Sequence, residues 1–219
     1  MTLIVHSYCG YPSYDGMTTW NGSDHDAHMF VQTLKGRAIN GYVTLRKPSG
    51  PWVTFRTETP QGAFDIWSEW AGGLAQSLLP EGGLLVPVPS SNCLEVGDDA
   101  KGRKLAEHVA VRARGFAVAE ALTWHEQLQK ASEGGPRDPD ILFENIRVNT
   151  TLPKREVILL DDVSTTGGHM LASAWALRWA GHQVRYAICA ASTVKVRPEN
   201  GIFKINPRDL EADPVEFCD

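Results

Sequence analysis

The chain has 219 residues, of which 42% are hydrophobic and 21% are charged, and its formal net charge at pH 7 is −5. These values are typical of a globular protein with one sizeable α/β domain or two smaller ones. The acidic balance disfavours a general nucleic-acid binder, and no apolar stretch approaches the ~18 residues that a membrane span requires.

The first 80 residues predict a strand, a helix, a hairpin and a second helix. Residues 2–8 read as the strand, and residues 23–36 begin with helix-capping side chains followed by apolar residues at helical spacing. Residues 42–58 alternate apolar and polar side chains around the turn KPSGP, which indicates a β-hairpin. In the helix over 64–79, we expect Trp67 and Trp70 to belong to the core rather than to a base-stacking platform.

The remaining chain alternates strands with helices. We predict a strand over 84–88 with a helix over 101–114, a short strand near 116–122, and a strand over 156–160 with a helix over 168–180 and a strand over 183–190. This alternation predicts right-handed βαβ units and an α/β fold with a mostly parallel sheet flanked by helices. Residues 123–150 read as a long irregular stretch and a candidate functional flap, and residues 196–219 as an edge strand or a partly loose tail.

Cysteine spacing and the N-terminus indicate the compartment. The four cysteines lie far apart in sequence, without the spacing of a zinc site or a redox pair. Residues 1–12 lack the basic lead and the long apolar core of a signal peptide. We therefore expect free thiols in a cytoplasmic protein.

The stretch REVILLDDVSTTGGHM (155–170) brings acids and a glycine-rich turn to the end of a buried strand. Ligands bind at the carboxyl ends of parallel strands, and the free N–H groups of a following helix favour a phosphate there. Beside a phosphate, Asp161 and Asp162 would serve ribose hydroxyls and a magnesium ion. The pattern therefore indicates a sugar phosphate.

The string VILLDDVSTTGGH resembles the phosphoribosyl-diphosphate (PRPP) motif of type I phosphoribosyltransferases, in which an apolar strand runs into two acids and a Thr-Thr-Gly-Gly turn. The resemblance implies a Rossmann-like core with a hood subdomain, here formed by residues 1–60 and 124–150. It implies that Asp161 and Asp162 are the catalytic acids and hold Mg²⁺, partly through water. The residues that it implies for the 5′-phosphate are Ser164, Thr165, Thr166, Gly167, Gly168 and His169.

Two positions depart from the family pattern. His169 stands where the family usually has Thr or Ser, and an imidazole can still donate to a phosphate. Thr165 occupies the position at which purine-salvage members carry an acidic general base. The chain lacks that carboxylate, which disfavours salvage of 6-oxopurines.

A second signal is the stretch LLVPVPSSN (84–92) followed by the basic segment AKGRK (100–104). In the resembled family, the strand before the diphosphate site ends in a small polar loop, and flexible basic residues screen the leaving group. The resemblance implies that the diphosphate is held by Pro89, Ser90, Ser91, Lys101, Arg103 and Lys104. For each basic residue alone, a solvated helix N-terminus is as good an interpretation.

Some features are similar to the ComF-type subgroup of this family. These are the Val-Pro-Val-Pro lead, the stretch FVQTLKGRA (30–38), and a loose match at Gln127, Lys130, Arg137 and residues 145–147. The four-cysteine metal module with which that subgroup often starts is missing. The run DHDAH (24–28) has acids and histidines at spacings that a metal could use, although a helix N-terminus with solvated histidines is the commoner structure.

The resemblance implies Mg²⁺-dependent transfer of the 5-phosphoribosyl group from PRPP to a small nitrogenous acceptor, with release of diphosphate. A regulator that binds PRPP or a nucleotide without turnover is the alternative, and a hydrolase-like enzyme is a lesser one.

We divide the chain into an N-terminal segment (1–80), a PRPP-binding core (81–195) and a tail (196–219). The hairpin 42–57 is a candidate homodimer surface, and nucleic acid is not an expected partner. The sequence does not identify the acceptor.

Overall fold

The computed structural model describes residues 2–16, 18–129, 133–149 and 151–212. Its strands are β1 (Ile4–Pro12), β2 (Val43–Arg46), β3 (Trp52–Phe55), β4 (Leu84–Pro87), β5 (Ala117–Val118), β6 (Leu122–Trp124), β7 (Ile146–Val148), β8 (Val157–Ser164), β9 (Val184–Val194) and β10 (Arg208–Asp209). Its helices are α1 (Gly22–Leu34), α2 (Gln61–Leu78), α3 (Ala100–Ala110), α4 (Pro139–Asn145) and α5 (Gly168–Trp179).

Six strands form the central sheet in the order β10-β1-β9-β8-β4-β5. All neighbouring pairs are parallel except β10 with β1, which is antiparallel. The prediction of an α/β fold with a mostly parallel sheet flanked by helices is confirmed.

The sheet separates two apolar clusters. One face packs against α1, α2 and α3, and the other packs against α5. Successive residues of β8 alternate between the two, since Ile158 and Leu160 belong to the first cluster and Val157 and Leu159 to the second. The continuous apolar run of β8 is therefore explained by burial on both faces.

The opening strand has a different place from the one we expected. We predicted that residues 1–60 contribute to a hood, but β1 is an inner strand of the central sheet, paired with β9 from Ile4 to Pro12. The reason is that β1, like β8, has buried residues on both faces, with Val5 in one cluster and Cys9 in the other. The predicted hairpin is confirmed as β2 paired antiparallel with β3. The division into domains stays a prediction.

The stretch 123–150 is more ordered than the irregular segment that we predicted. Strands β6 and β7 pair antiparallel from Leu122 with Val148 to Trp124 with Ile146. The helix α4 between them begins at a capping signal that we missed, in which Asp138 accepts a hydrogen bond from the Asp140 N–H. Lys130, one of the residues of the subgroup match, lies outside the described residues.

Other predictions concern the tryptophan at position 67, the cysteines and the absence of a membrane-spanning segment. Trp67 is fully buried and donates its indole N–H to the Leu105 carbonyl at 3.2 Å, so it is a core residue as predicted. Cys9, Cys93 and Cys189 are free and buried, whereas Cys218 is outside the described part of the chain. None of the helices in that part combines the length and hydropathy that spanning a bilayer requires.

Asp24 has a structural role. It forms a capping box with Asn21 at the start of α1 and accepts a hydrogen bond from Tyr14 at 2.8 Å. It also pairs with Arg197 at 2.7 Å while almost fully buried. These contacts fit the helix N-terminus that we considered for residues 24–28, and within the described residues no group of three potential ligands could hold a metal.

Candidate active site

A cleft of about 420 Å³ opens at the carboxyl ends of β1, β9, β8 and β4. That volume is within the range of small-molecule sites. Most of the predicted site residues line it: Asp161, Asp162, Ser164, Thr165, Gly167, His169, Pro89, Ser90, Ser91 and Lys101. Four predicted residues do not: Thr166, Gly168, Arg103 and Lys104.

The two acids lie at the end of β8. Burial, together with the charge of Asp162, raises the pKa of Asp161 well above its usual value, while the Asp162 N–H donates to the Asp161 carboxylate at 2.7 Å. Asp162 pairs with the Lys35 ammonium at 3.2 Å, at the C-terminus of α1. The ionised form of Asp161 is therefore disfavoured in the protein alone, and a cation bound beside the two carboxyl groups would stabilise it.

The turn after β8 holds a buried hydroxyl without a partner. Ser164 is 3% exposed, and its Oγ finds no hydrogen-bond partner among the described residues. An unsatisfied buried hydroxyl costs free energy that a ligand oxygen could recover. The residue Ser164 lines the cleft a few residues before α5 begins at Gly168, and the dipole of that helix favours an anion at its N-terminus.

The two glycines of this turn serve packing within the protein. A Cβ on Gly167, whose φ is 93°, would come within 2.6 Å of Leu210 Cδ1. A Cβ on Gly168 would come within 1.9 Å of the Arg137 carbonyl oxygen. Both glycines are among the residues that the resemblance implies for the 5′-phosphate, and this stays a prediction. The groups that lie where their side chains would be are Leu210 and residue 137, the latter in the stretch that we predicted as a flap. Gly167 still lines the cleft.

His169 is neutral at physiological pH. Burial lowers the pKa of His169 to about 4, so the imidazole brings no positive charge to the turn. Its ring meets the ring of Trp124 edge-to-face, with the centroids 5.5 Å apart. His169 can donate one hydrogen bond to an anion but cannot neutralise it.

The loop after β4 is held in place by β6. The buried indole N–H of Trp124 donates to the Ser90 carbonyl at 2.9 Å, and the Leu128 N–H donates to the Ser91 carbonyl at 2.9 Å. The Ser90 N–H donates to the Asp99 carboxylate, which also caps α3, at 3.0 Å. A diphosphate that used the Ser90 N–H would have to displace Asp99.

Only one of the three predicted basic residues on α3 lines the cleft. Lys101 does, whereas Arg103 pairs with Glu107 at 3.8 Å and Glu120 at 3.5 Å. The Lys104 ammonium lies 4.3 Å from the centroid of the Phe64 ring. Because an α-helix turns by about 100° per residue, position 103 points away from the direction of position 101. Position 104 is close in direction to position 101, but its ammonium is directed toward Phe64 instead of the cleft.

Several lining residues were missed by the sequence reasoning. They are Tyr11, Leu34, Lys35, Arg37, Asp99 and Thr193. The stretch FVQTLKGRA contains three of them, and its similarity to the ComF-type subgroup was the available signal. Tyr11 and Thr193 had none, since they lie opposite each other at the ends of β1 and β9, a pairing that only the fold reveals.

No protein-family model matches the chain, and no curated protein matches it. Similar solved structures include orotate phosphoribosyltransferase from Aeropyrum pernix, which is 20% identical over 74% of this chain and 80% of that one, with a TM-score of 0.37. Adenine phosphoribosyltransferase from Trypanosoma brucei, in complex with AMP, pyrophosphate and ribose-5-phosphate, is 16% identical over 78% and 69% of the two chains, with a TM-score of 0.43. APRTase from Giardia lamblia is 19% identical over 78% and 84%, with a TM-score of 0.41. At such low similarity, the roles of the site residues follow from the geometry of this chain alone.

Proposed function

We propose that the protein is a phosphoribosyltransferase that transfers the 5-phosphoribosyl group from PRPP to a nitrogen nucleophile. The observation that carries the proposal is that one cleft contains the paired acids, the buried unpartnered hydroxyl of Ser164 and the polar loop 89–92. The acids and the turn after them lie at the end of β8, and the loop 89–92 follows the neighbouring strand β4, so all three are at the same edge of the sheet. A pentose with a phosphate at one end and a diphosphate at the other fits this arrangement.

The residues then have distinct roles. Ser164, Thr165 and the N-terminus of α5 bind the 5′-phosphate, and Asp161 and Asp162 accept hydrogen bonds from the ribose hydroxyls. Ser91 and Lys101 hold the diphosphate. The C1–O bond to diphosphate breaks with its electron pair on the leaving group, and the lone pair of the acceptor nitrogen forms the new bond to C1. The reaction is accelerated by positioning of the two substrates and by stabilisation of the charge that develops in the transition state, without a covalent protein intermediate.

The acids also fit a magnesium ion. Asp161 is buried beside Asp162, so a divalent cation would favour the ionised form of both carboxyl groups, and oxygen ligands suit Mg²⁺. Two carboxylates are too few to saturate the ion, so the remaining ligands would come from the substrate and water. When bound, the ion would neutralise charge on the diphosphate as it leaves.

Calorimetric titration with PRPP, with and without Mg²⁺, tests the proposal. We expect binding that depends on Mg²⁺ and that is lost in the Asp161→Asn/Asp162→Asn double variant. Asp15→Asn, an exposed acid outside the cleft, is the matched control and should bind as the wild type does. Absence of binding to the wild type would rule out the proposed function. Binding without diphosphate release, whatever acceptor is added, would instead support the regulator.

We also propose that the protein is cytoplasmic and forms a homodimer through the hairpin. Tyr42 and Trp52, beside and within the hairpin, are 65% and 69% exposed, which suits an interface. The relation to the ComF-type subgroup is likewise a proposal.

A further inference from the structure

The cleft has a second end, opposite the loop 89–92. That loop follows β4, whereas Tyr11 lies at the end of β1, three strand spacings away in the order β1-β9-β8-β4. Three spacings amount to roughly 14 Å. We name the part of the cleft lined by Tyr11, Leu34, Arg37 and Thr193 the acceptor end. Under the proposed function, the phosphate-bearing groups occupy the ends of β4 and β8, which leaves the acceptor end for the nucleophile.

A buried glutamine connects the polar groups of the acceptor end. Gln32 Nε2 donates to the Tyr11 hydroxyl at 2.8 Å, and Gln32 Oε1 accepts from Arg37 at 3.2 Å. The opposite amide orientation would set its N–H₂ group against the guanidinium, so the contact with Arg37 fixes the orientation. Gln32 Nε2 also lies 3.2 Å from His28 Nε2, which must then accept. The lowered pKa of His28, which follows mainly from burial, agrees with a neutral ring.

This network leaves hydrogen-bond donors facing the cleft. The Tyr11 hydroxyl already accepts from Gln32, and no acceptor for its proton lies within hydrogen-bond distance among the described residues. Arg37 has further N–H groups, because its contact with Gln32 uses one of them. Thr193 can donate or accept, and Leu34 supplies an apolar surface.

The acceptor end also carries positive charge. The Lys35 ammonium is compensated by Asp162, but no carboxylate of the described residues lies within 4.0 Å of the Arg37 guanidinium. The acids that line the cleft are Asp99, Asp161 and Asp162, and under the proposed function Asp161 and Asp162 serve the ribose and the ion. None of the four residues of the acceptor end is a carboxylate that could act as a general base. A nucleophile at this end must therefore lose its proton to solvent.

Given the proposed function, we propose that the acceptor is a carbonyl-bearing nitrogen heterocycle that binds as an anion, with Arg37 and Tyr11 determining the specificity. Carbonyl or carboxylate oxygens accept from Arg37 and the Tyr11 hydroxyl, while an exocyclic amino group would face donors. A ring N–H next to carbonyl groups is acidic, and the guanidinium stabilises its deprotonated form. Its proton goes to solvent, its lone pair forms the bond to C1, and the C1–O bond breaks with its electrons on diphosphate.

The experiment measures diphosphate release from Mg–PRPP with three probes. Uracil-6-carboxylate has the carbonyl groups and a carboxylate, uracil has the same carbonyl groups without that charge, and adenine presents an amino group. We expect uracil-6-carboxylate to have the highest kcat/KM and adenine to be inactive. Arg37→Ala should raise the KM of uracil-6-carboxylate by ~10-fold or more, as expected for loss of a charge-assisted hydrogen bond. The same variant should leave the calorimetric affinity for Mg–PRPP unchanged.

Two further variants sharpen the test. Tyr11→Phe should raise the KM of both carbonyl-bearing probes, because they share the oxygen that it contacts. Arg114→Ala removes an exposed arginine outside the cleft and should change neither KM nor PRPP affinity.

The outcomes separate the two proposals. If the wild type does not bind Mg–PRPP, the proposed function fails and this inference fails with it. If PRPP binds but adenine is the better acceptor, or uracil-6-carboxylate gives no diphosphate release, only this inference is overturned. It is also overturned if Arg37→Ala weakens PRPP binding as much as it raises the KM of the acid, since Arg37 would then belong to the diphosphate end.

Discussion

At the scale of single residues, the candidate site contains a buried histidine, His169, whose imidazole is uncharged at neutral pH. The pKa of His169 is lowered to about 4 from the usual 6.5 because the ring is buried against Trp124. Between pH 4 and pH 6.5, this imidazole binds a proton in the unfolded chain but not in the folded protein. The free energy of unfolding therefore gains a contribution that rises with pH from about 4 to about 6.5 and is constant above it.

His169→Gln should remove this contribution. We expect the pH dependence of its unfolding free energy, measured by urea denaturation, to be shallower than in the wild type by at most ~1.4 kcal/mol per pH unit between pH 4 and 6.5. Contributions from all other groups are common to the two proteins and cancel in the difference. Parallel curves for the two proteins would show that the imidazole is hydrated and titrates normally.

At the scale of elements, β6 links the two loops of the site. Trp124 donates to the carbonyl groups of Pro89 and Ser90 and packs against His169, so one side chain contacts both loops. Trp124 does not itself line the cleft, so it contacts the two loops on the side that faces away from the cleft. Its function is to position the loop 89–92.

Trp124→Phe keeps an aromatic ring but removes the donor. We expect the affinity for diphosphate, measured by calorimetry, to fall by roughly 5- to 10-fold, in line with the loss of a hydrogen bond that holds the loop. Trp175→Phe is the matched control, since its indole N–H donates to Glu211 at 3.3 Å away from the cleft. Equal diphosphate affinities in the two variants would show that Trp124 acts only in packing.

The elements of the site differ in how well the sequence alone predicts them. The strand–turn–helix at 155–170 was predictable because an apolar run buried on both faces, two acids and a glycine turn are all local signals. Trp124 and Tyr11 were not predictable, because strand pairing across the sheet decides what they touch. The packing of Arg137 against Gly168 was not predictable for a related reason, since a glycine indicates that something approaches closely but not what it is.

At the scale of the whole molecule, residues 208–210 connect the glycine turn with the first residues on the β1 side of the sheet. The Leu210 N–H donates to the Leu3 carbonyl at 3.0 Å, and Arg208 donates to the Thr166 carbonyl at 3.1 Å. Leu210 fills the space where a Cβ of residue 167 would lie. The turn is therefore fixed by a segment about 40 residues further along the chain.

Leu210→Ala should loosen the turn. We expect a loss of ~2–5 kcal/mol in unfolding free energy, as for other buried leucines, together with weaker binding of ribose 5-phosphate in calorimetry. Leu177→Ala, in the same apolar cluster but in the last turns of α5, should lose similar stability without weaker binding. If both variants bind equally well, Leu210 contributes to stability alone.

The position of β1 has a consequence for biosynthesis. Ser7 and Cys189 are in contact but lie 182 residues apart, because the strand that is made first pairs with the last long strand. At 5–20 residues per second, a ribosome needs roughly 10–40 s to bridge that separation. During that time β1 has no partner on either side, and its apolar residues are exposed to other nascent chains. We therefore expect β1 to join the sheet only after β9 has been made.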